Sequence, residues 1–274
     1  NYRGDPEREY IWCSISSREE PCGGTKNTAK LCNLWRLTLP KKRIIPVVLI
    51  KNGQVIRSQT FSIHQTIGNP INTIMRFTNW GVDELIILDI STSDFHDLKR
   101  DDLFVSYNSN KSLDLVKKIA QVSFMPLTIG GRVRDLKYFG QLLSAGADKV
   151  AINSASVLNP DLINKVTDKI GRQCIVAAID VKQNDKKTWN VFTHGGRKST
   201  QLDAVEWAKE INQRGAGEIL LTSMDRDGTR KGFDLDLLQT ISMNVLLHIC
   251  LLYILLFHMR PSATLIVEHL DLLP

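Results

Sequence analysis

Asp180 closes the apolar run IVAAIDVK, residues 175–182, and a carboxylate at the end of a buried strand is a natural general acid or base. The run IIPVVLIK, residues 44–51, has the same length, the same richness in β-branched residues and the same closing lysine. Yet Leu49 stands where its counterpart has Asp180, at an offset of 131 residues. A second echo supports the comparison: GVDELIILD, from Gly81, returns as GAGEILLTSMD from Gly215 at an offset of 134. The chain therefore reads as a duplicated half. Duplication predicts an aspartate at position 49, and a leucine there can neither give nor take a proton.

Two further groups of residues bear on chemistry. Gly130, Gly131 and Arg132 follow the run MPLTI, Asn153 and Ser154 follow KVAI, and Asp227, Gly228 and Thr229 follow EILLTS. Each group precedes a helical stretch, whose first backbone amides can take an anion, and glycine lets a phosphate oxygen approach those amides closely. Phosphate binding is the expected role. At the opposite ends of the runs, Arg43, Glu84, Lys149 and Glu218 stand where apolar residues would be expected. In a closed barrel, four such charges of mixed sign would meet as a ring across one mouth, a salt-bridged plug or gate.

The elements that must position these residues alternate along the chain. IIPVVLI, ELIILDI, MPLTIGG, KVAIN, CIVAAID and EILLTS are short, almost wholly apolar runs, separated by amphipathic stretches such as SLDLVKKIAQ and DAVEWAKEINQRG. Such runs suit parallel strands buried on both faces. The expected fold is α/β, of the (β/α)8 TIM-barrel type, incomplete, with six βα units between Arg43 and Thr240; duplication favours a barrel over an open sheet. Of the 274 residues 43% are apolar and 23% charged, as in an ordinary globular protein. Cys13, Cys22, Cys32, Cys174 and Cys250 show no paired spacing, so neither a disulfide framework nor a zinc site is indicated, and a reducing cytoplasm is expected. The net charge of +6 carries no basic stripe with interleaved aromatics, which points to small anionic substrates and away from nucleic acid. VLLHICLLYILLF, residues 245–257, is shorter than the ~20 residues a membrane span needs. A buried helix or a strand pair is expected there, with no membrane partner.

From Arg43 to Gln239 the chain resembles the cyclase subunit of imidazole glycerol phosphate synthase, most closely in QCIVAAIDVK, FTHGGR, LDAVEWAKE and GAGEILLTSMDRDGT. The resemblance implies a barrel that receives ammonia through its interior from a glutaminase partner, as a heterodimer. It condenses that ammonia with a doubly phosphorylated ribulosyl aminoimidazole carboxamide nucleotide and releases imidazole glycerol phosphate, a lyase-type reaction of histidine biosynthesis needing neither metal nor cofactor. Asp180 matches one of the family's two acid–base aspartates; Arg43, Glu84, Lys149 and Glu218 match the gate at the ammonia entrance.

Three departures qualify the match. Leu49 replaces the other aspartate; Arg132 replaces a third loop glycine and adds a phosphate-binding cation; and no glycine follows Gly232, where the family has a glycine-rich second phosphate site. IKNGQVIRSQTF and HQTIGNP look more like paralogues that work with a glutaminase in amidino modification of cell-surface sugars. Two alternatives to the cyclase therefore stand: an ammonia-accepting synthase for a surface-sugar precursor, and a catalytically silent barrel that docks and activates a glutaminase. Residues 15–36 can be encoded so that a frame shifted by one base resembles the end of a class I glutamine amidotransferase. On that reading residues 1–37 are an out-of-frame or non-native leader, 38–244 the barrel, and 245–274 a tail that is not a native barrel end. Six units alone would leave the first and sixth strands as open edges.

Overall fold

The computed structural model describes residues 43–92, 112–229, 231–245, 248–254 and 264–267. The expected leader, residues 1–37, lies outside the described residues, as does all of the stretch 93–111 after the second expected strand. From Val47 onward the order is β1 (Val47–Lys51), β2 (Gln54–Gln59), β3 (Ile63–Gly68), α1 (Pro70–Trp80), β4 (Leu85–Asp89), α2 (Ser112–Val122), β5 (Leu127–Gly130), α3 (Leu136–Ser144) and β6 (Lys149–Ile152). Then come α4 (Ser154–Leu158), α5 (Asp161–Lys169), β7 (Ile175–Gln183), β8 (Trp189–Thr193), β9 (Lys198–Asp203), α6 (Ala204–Arg214), β10 (Glu218–Ser223), α7 (Leu235–Ser242), β11 (His248–Ile254) and β12 (Thr264–Val267).

The helices start and stop on local signals. In α1 the Asn69 side chain accepts from the Ile71 N–H at 2.8 Å, Pro70 needs no donor in the first turn, and Gly81 closes the helix in the left-handed conformation at φ 65°. Ile71, Ile74 and Phe77, at helical spacing, make its buried face. Asp203 caps α6 in the same way, accepting from the amides of Val205 and Glu206, and Gly215 ends it.

The six expected strands, β1, β4, β5, β6, β7 and β10, pair in parallel in that order. Their side chains alternate between two cores, as a barrel requires. One set, including Val48, Ile50, Leu85, Ile87, Ile129, Val150, Ala177 and Ile219, packs against the helices. The other set, Ile45, Val47, Ile86, Ala151, Val176, Ala178 and Leu220, forms a separate interior cluster that Leu49 and Leu88 extend. Two loops carry hairpins absent from the expected pattern: β2 and β3 follow β1, and β8 and β9 follow β7.

The edges that six units alone would leave on β1 and β10 are covered by the tail: β10 takes β11 as a parallel neighbour, and β12 bridges from β11 to β1. The regular parallel βα pattern is nonetheless incomplete, because β12 runs antiparallel to both neighbours and meets β1 at one residue pair, Val47 with Thr264. Backbone groups left unpaired at a sheet edge are costly, and any extended segment within reach can satisfy them. Within residues 245–257 the described stretch His248–Ile254 is a single strand, neither the expected helix nor a strand pair, and its antiparallel partner β12 lies further along the chain.

Candidate functional site

At the amino ends of the strands the four expected charges come together. Glu84 precedes β4 while Lys149 and Glu218 open β6 and β10, so the strand period of two turns all three inward with Ile86, Ala151 and Leu220 one step above. The Lys149 ammonium donates to Glu218 Oε1 at 2.7 Å and to Glu84 Oε2 at 3.0 Å, and the Arg43 guanidinium pairs with Glu84 on its other side. Glu84 and Glu218 are the duplicated positions of the second sequence echo, and Lys149 bridges them. Burial works to lower the Lys149 pKa, but Glu218 and then Glu84 more than reverse it and raise it above the ordinary lysine value. A raised lysine contributes stability that is full at neutral pH and is lost only as pH climbs through its folded pKa. Lys149→Met is therefore expected to cost about 1–3 kcal/mol at pH 7, since it leaves two largely buried carboxylates without the cation between them. The cost should begin to shrink only above about pH 10.5, the ordinary lysine value, and disappear once pH has passed the raised folded pKa; urea melts at neutral and strongly alkaline pH measure it.

Above the ring the interior is apolar except for the buried Thr128 of β5, and polar groups return at the carboxyl ends. Following the strand pairing from Leu49 through Leu88, Gly130 and Ala151 leads to Val176, four residues before Asp180. A barrel of this kind accumulates a stagger of about four residues over half its circumference. Leu49 and Asp180 thus face each other across the mouth at one level, as the first sequence echo requires. Asp180 Oδ2 accepts from the Asn153 amide at 2.8 Å, and the Thr222 hydroxyl also bonds this carboxyl. Withdrawal from water pushes the Asp180 pKa up to about 7, with the nearby charge of Asp227 adding to the rise and the bonds from Thr222 and Asn153 opposing it. Thr222 escaped the sequence reading, although it lies in the same alternating series as Glu218 and Leu220.

The expected phosphate-binding residues occupy this end but do different things there. A Cβ on Gly131, at φ 111°, would lie 2.1 Å from the Asp89 carbonyl oxygen, so glycine is required for the close approach of two strand ends. Gly130 likewise packs on Leu88 and Ala151. Arg132 points back to Asp89, 3.5 Å between Nη2 and Oδ2, beside a cavity of about 280 Å³ that it lines with Thr92, Arg134, Asp135 and Tyr138. Ser154 Oγ accepts from the His194 N–H at 2.8 Å, tying the turn between β8 and β9 to the end of β6. Gly228 packs on Ser58 and Gln59 of β2, and Asp227, 2% exposed, accepts from the backbone N–H of Phe61 and from the Ser58 hydroxyl. Burial raises the Asp227 pKa to about 6 against the pull of those two bonds. Among the described residues no cluster of histidine, cysteine or carboxylate side chains could hold a metal ion.

The family model described as histidine biosynthesis protein matches residues 43–251. The chain belongs to that family. Its members are typically isomerases and cyclases, so the family supports an enzyme. The match begins at Arg43, the first residue of the charged ring, and runs into β11, so it takes in every expected site residue. Among the described residues no helix is long and apolar enough to cross a membrane.

Proposed function

We propose that this family member is the ammonia-using subunit of a glutamine amidotransferase complex, a lyase-type cyclase resembling imidazole glycerol phosphate synthase. The observation that carries the reading is one continuous line through the molecule. A charged ring closes one mouth, an apolar interior follows, and a carboxyl at the other mouth titrates near neutrality. An apolar passage favours neutral ammonia over the ammonium ion, whose charge would have to shed its water. Proton transfer to and from a carbonyl that takes up ammonia needs a group with a pKa near the working pH, which is where Asp180 stands.

The ring end also suits a protein partner. Phe124, 87% exposed, and Trp80, 59% exposed, lie where helices return to the strand starts, as do the exposed Met243 and Ile44. Large apolar side chains around an entrance fit docking by a glutaminase, which would deliver ammonia without releasing it to water. The proposed partners are thus a glutaminase and a phosphorylated small molecule, in the cytoplasm. Leu49 at the mouth favours a second substrate for the same machinery, a cell-surface sugar precursor in place of the histidine intermediate.

The test supplies the full chain with ammonium chloride at pH 8.5 and either the ribulosyl aminoimidazole carboxamide nucleotide or a keto-sugar nucleotide, following products by mass spectrometry. Ammonia-dependent consumption of the first substrate is the expected result, and consumption of the second alone would move the chain to sugar modification. A folded protein that consumes neither would refute the ammonia reading.

A further inference from the structure

The site as matched holds one aspartate where the chemistry wants a pair. The carboxyl that acts on it electrostatically comes from neither duplicated strand position. It belongs to Asp227, in the turn after β10. Its Oδ2 accepts from the Ser58 hydroxyl and the Phe61 N–H, each at 3.4 Å, while the Thr60 N–H donates to its backbone carbonyl at 3.1 Å. Its Oδ1 is fully buried and has no hydrogen-bond partner. The residue is 2% exposed, so that oxygen is shut off from bulk water as well. Buried carboxylate oxygens are normally satisfied, and one that is not is either strained or waiting for a donor that arrives with a ligand. The Asn153 amide oxygen, whose partner nitrogen holds Asp180, is buried and unpartnered in the same way. Two orphan acceptors, one on the residue that holds the Asp180 carboxyl and one on the carboxyl whose charge acts on it, suit a ligand rich in N–H and O–H donors.

We propose that Asp227 is the second acid–base carboxyl of this site, doing from the β10 turn what an aspartate at position 49 would do from β1. The proposal rests on the ammonia reading given above. In it, the ammonia nitrogen bonds to the substrate carbonyl carbon, and the carbonyl π electrons move to oxygen, which takes the proton of the Asp180 carboxylic acid. The Asp227 carboxylate takes one proton from the new C–N group, leaving a neutral carbinolamine. In the next step the Asp227 acid protonates the hydroxyl, which departs as water. The Asp180 carboxylate takes a proton from the iminium nitrogen and leaves a neutral imine. Ammonia and carbonyl have become imine and water, and both carboxyls are back in their starting states. Sharing one proton between two coupled carboxyls near neutral pH is what such an exchange requires. The burial of both groups supplies it, with Asp180 at about 7 and Asp227 at about 6.

The experiment uses the full chain with ammonium chloride and whichever carbonyl substrate it consumes. Asp227→Asn keeps an oxygen to accept from Ser58 and Phe61, so the hairpin should stay docked and the melting temperature should hold. Turnover is expected to fall by about 10²–10⁴-fold, the usual worth of a positioned proton-transfer group. The deciding variant is Leu49→Asp in the Asp227→Asn background, which should recover at least about tenfold of that loss, because it returns a carboxyl from the opposite side without repairing the turn. A purely structural Asp227 would not be rescued this way. Turnover within threefold of wild type in Asp227→Asn would overturn the proposal and leave the ammonia reading standing. So would an inactive wild type that Leu49→Asp alone switches on. Folded wild type and Leu49→Asp proteins that both fail to use ammonia would overturn the reading itself, and the role of Asp227 with it.

Discussion

Asp180→Asn is expected to lower ammonia-dependent turnover by about 10²–10⁴-fold while making the protein more stable at alkaline pH. Both effects have one cause. The Asp180 carboxyl is withdrawn from water at the mouth of an apolar interior, and its pKa rises to about 7. A carboxyl whose folded pKa lies above its unfolded value favours the folded state in its protonated form. The folded protein then binds more protons than the unfolded one between about pH 4 and pH 7, and stability falls as pH rises through that window. Asparagine does not titrate, so the variant should match wild type near pH 4 and exceed it at pH 8. The acceptor for the Asn153 amide and the bond to Thr222 survive as amide interactions, so the site geometry should hold. Kinetics under ammonium chloride and urea melts at pH 4.5 and 8 check both halves. Parallel stability curves for the two proteins would show that the carboxyl is well solvated and unsuited to the role.

The largest expected loss of stability belongs to Gly131→Ala. Its φ of 111° is one that side-chain-bearing residues rarely adopt, and the added methyl would sit 2.1 Å from the backbone oxygen of Asp89. Backbone strain and overpacking together should cost about 2–5 kcal/mol, a large share of the total stability of an ordinary domain. Gly140→Ala is the matched control: it lies within α3 with nothing within 4 Å of the new methyl, and should be neutral or stabilising by about 0.5–1 kcal/mol. Equal denaturation midpoints for the two variants would mean that the ends of β4 and β5 are free to separate. Because Asp89 also holds Ser112, at 3.1 Å, and Arg132, Gly131→Ala should disturb the start of α2 and the cavity beside Arg132 as well.

The parallel strand series, its incompleteness, the inward-facing charges and the lone Asp180 were all legible from residues 43–240, because each depends on periodicity. A strand buried on both faces has little freedom in what it displays, so Glu84, Lys149 and Glu218 could be read as one ring from their places before three apolar runs. The duplication carried that reading across the barrel, pairing Leu49 with Asp180 and Glu84 with Glu218. What periodicity could not reach was anything made by loops. The β2–β3 hairpin brings Ser58 and Phe61 to Asp227, and the β8–β9 turn brings His194 to Ser154. These contacts join residues as much as 169 positions apart, and no local pattern encodes them.

Glycines show the same division. A glycine after a strand marks a tight backbone approach, but not what approaches: at Gly131 and Gly228 it is the protein's own chain, at Asp89 and at Ser58–Gln59. The edges of the six-stranded series are covered for a related reason. Unpaired strand edges accept any extended partner, and β11 and β12 are recruited by that general demand, even with β12 running the wrong way for a βα unit. By itself the sequence determined the family, through long matching strings, and the parallel strand series, which follows from repeated short-range patterns. Only the tertiary structure decided that the buried carboxyl acting on Asp180 is Asp227, because the electrostatics of a pair depend on distance and burial, and both are set by loops folding back over the barrel mouth.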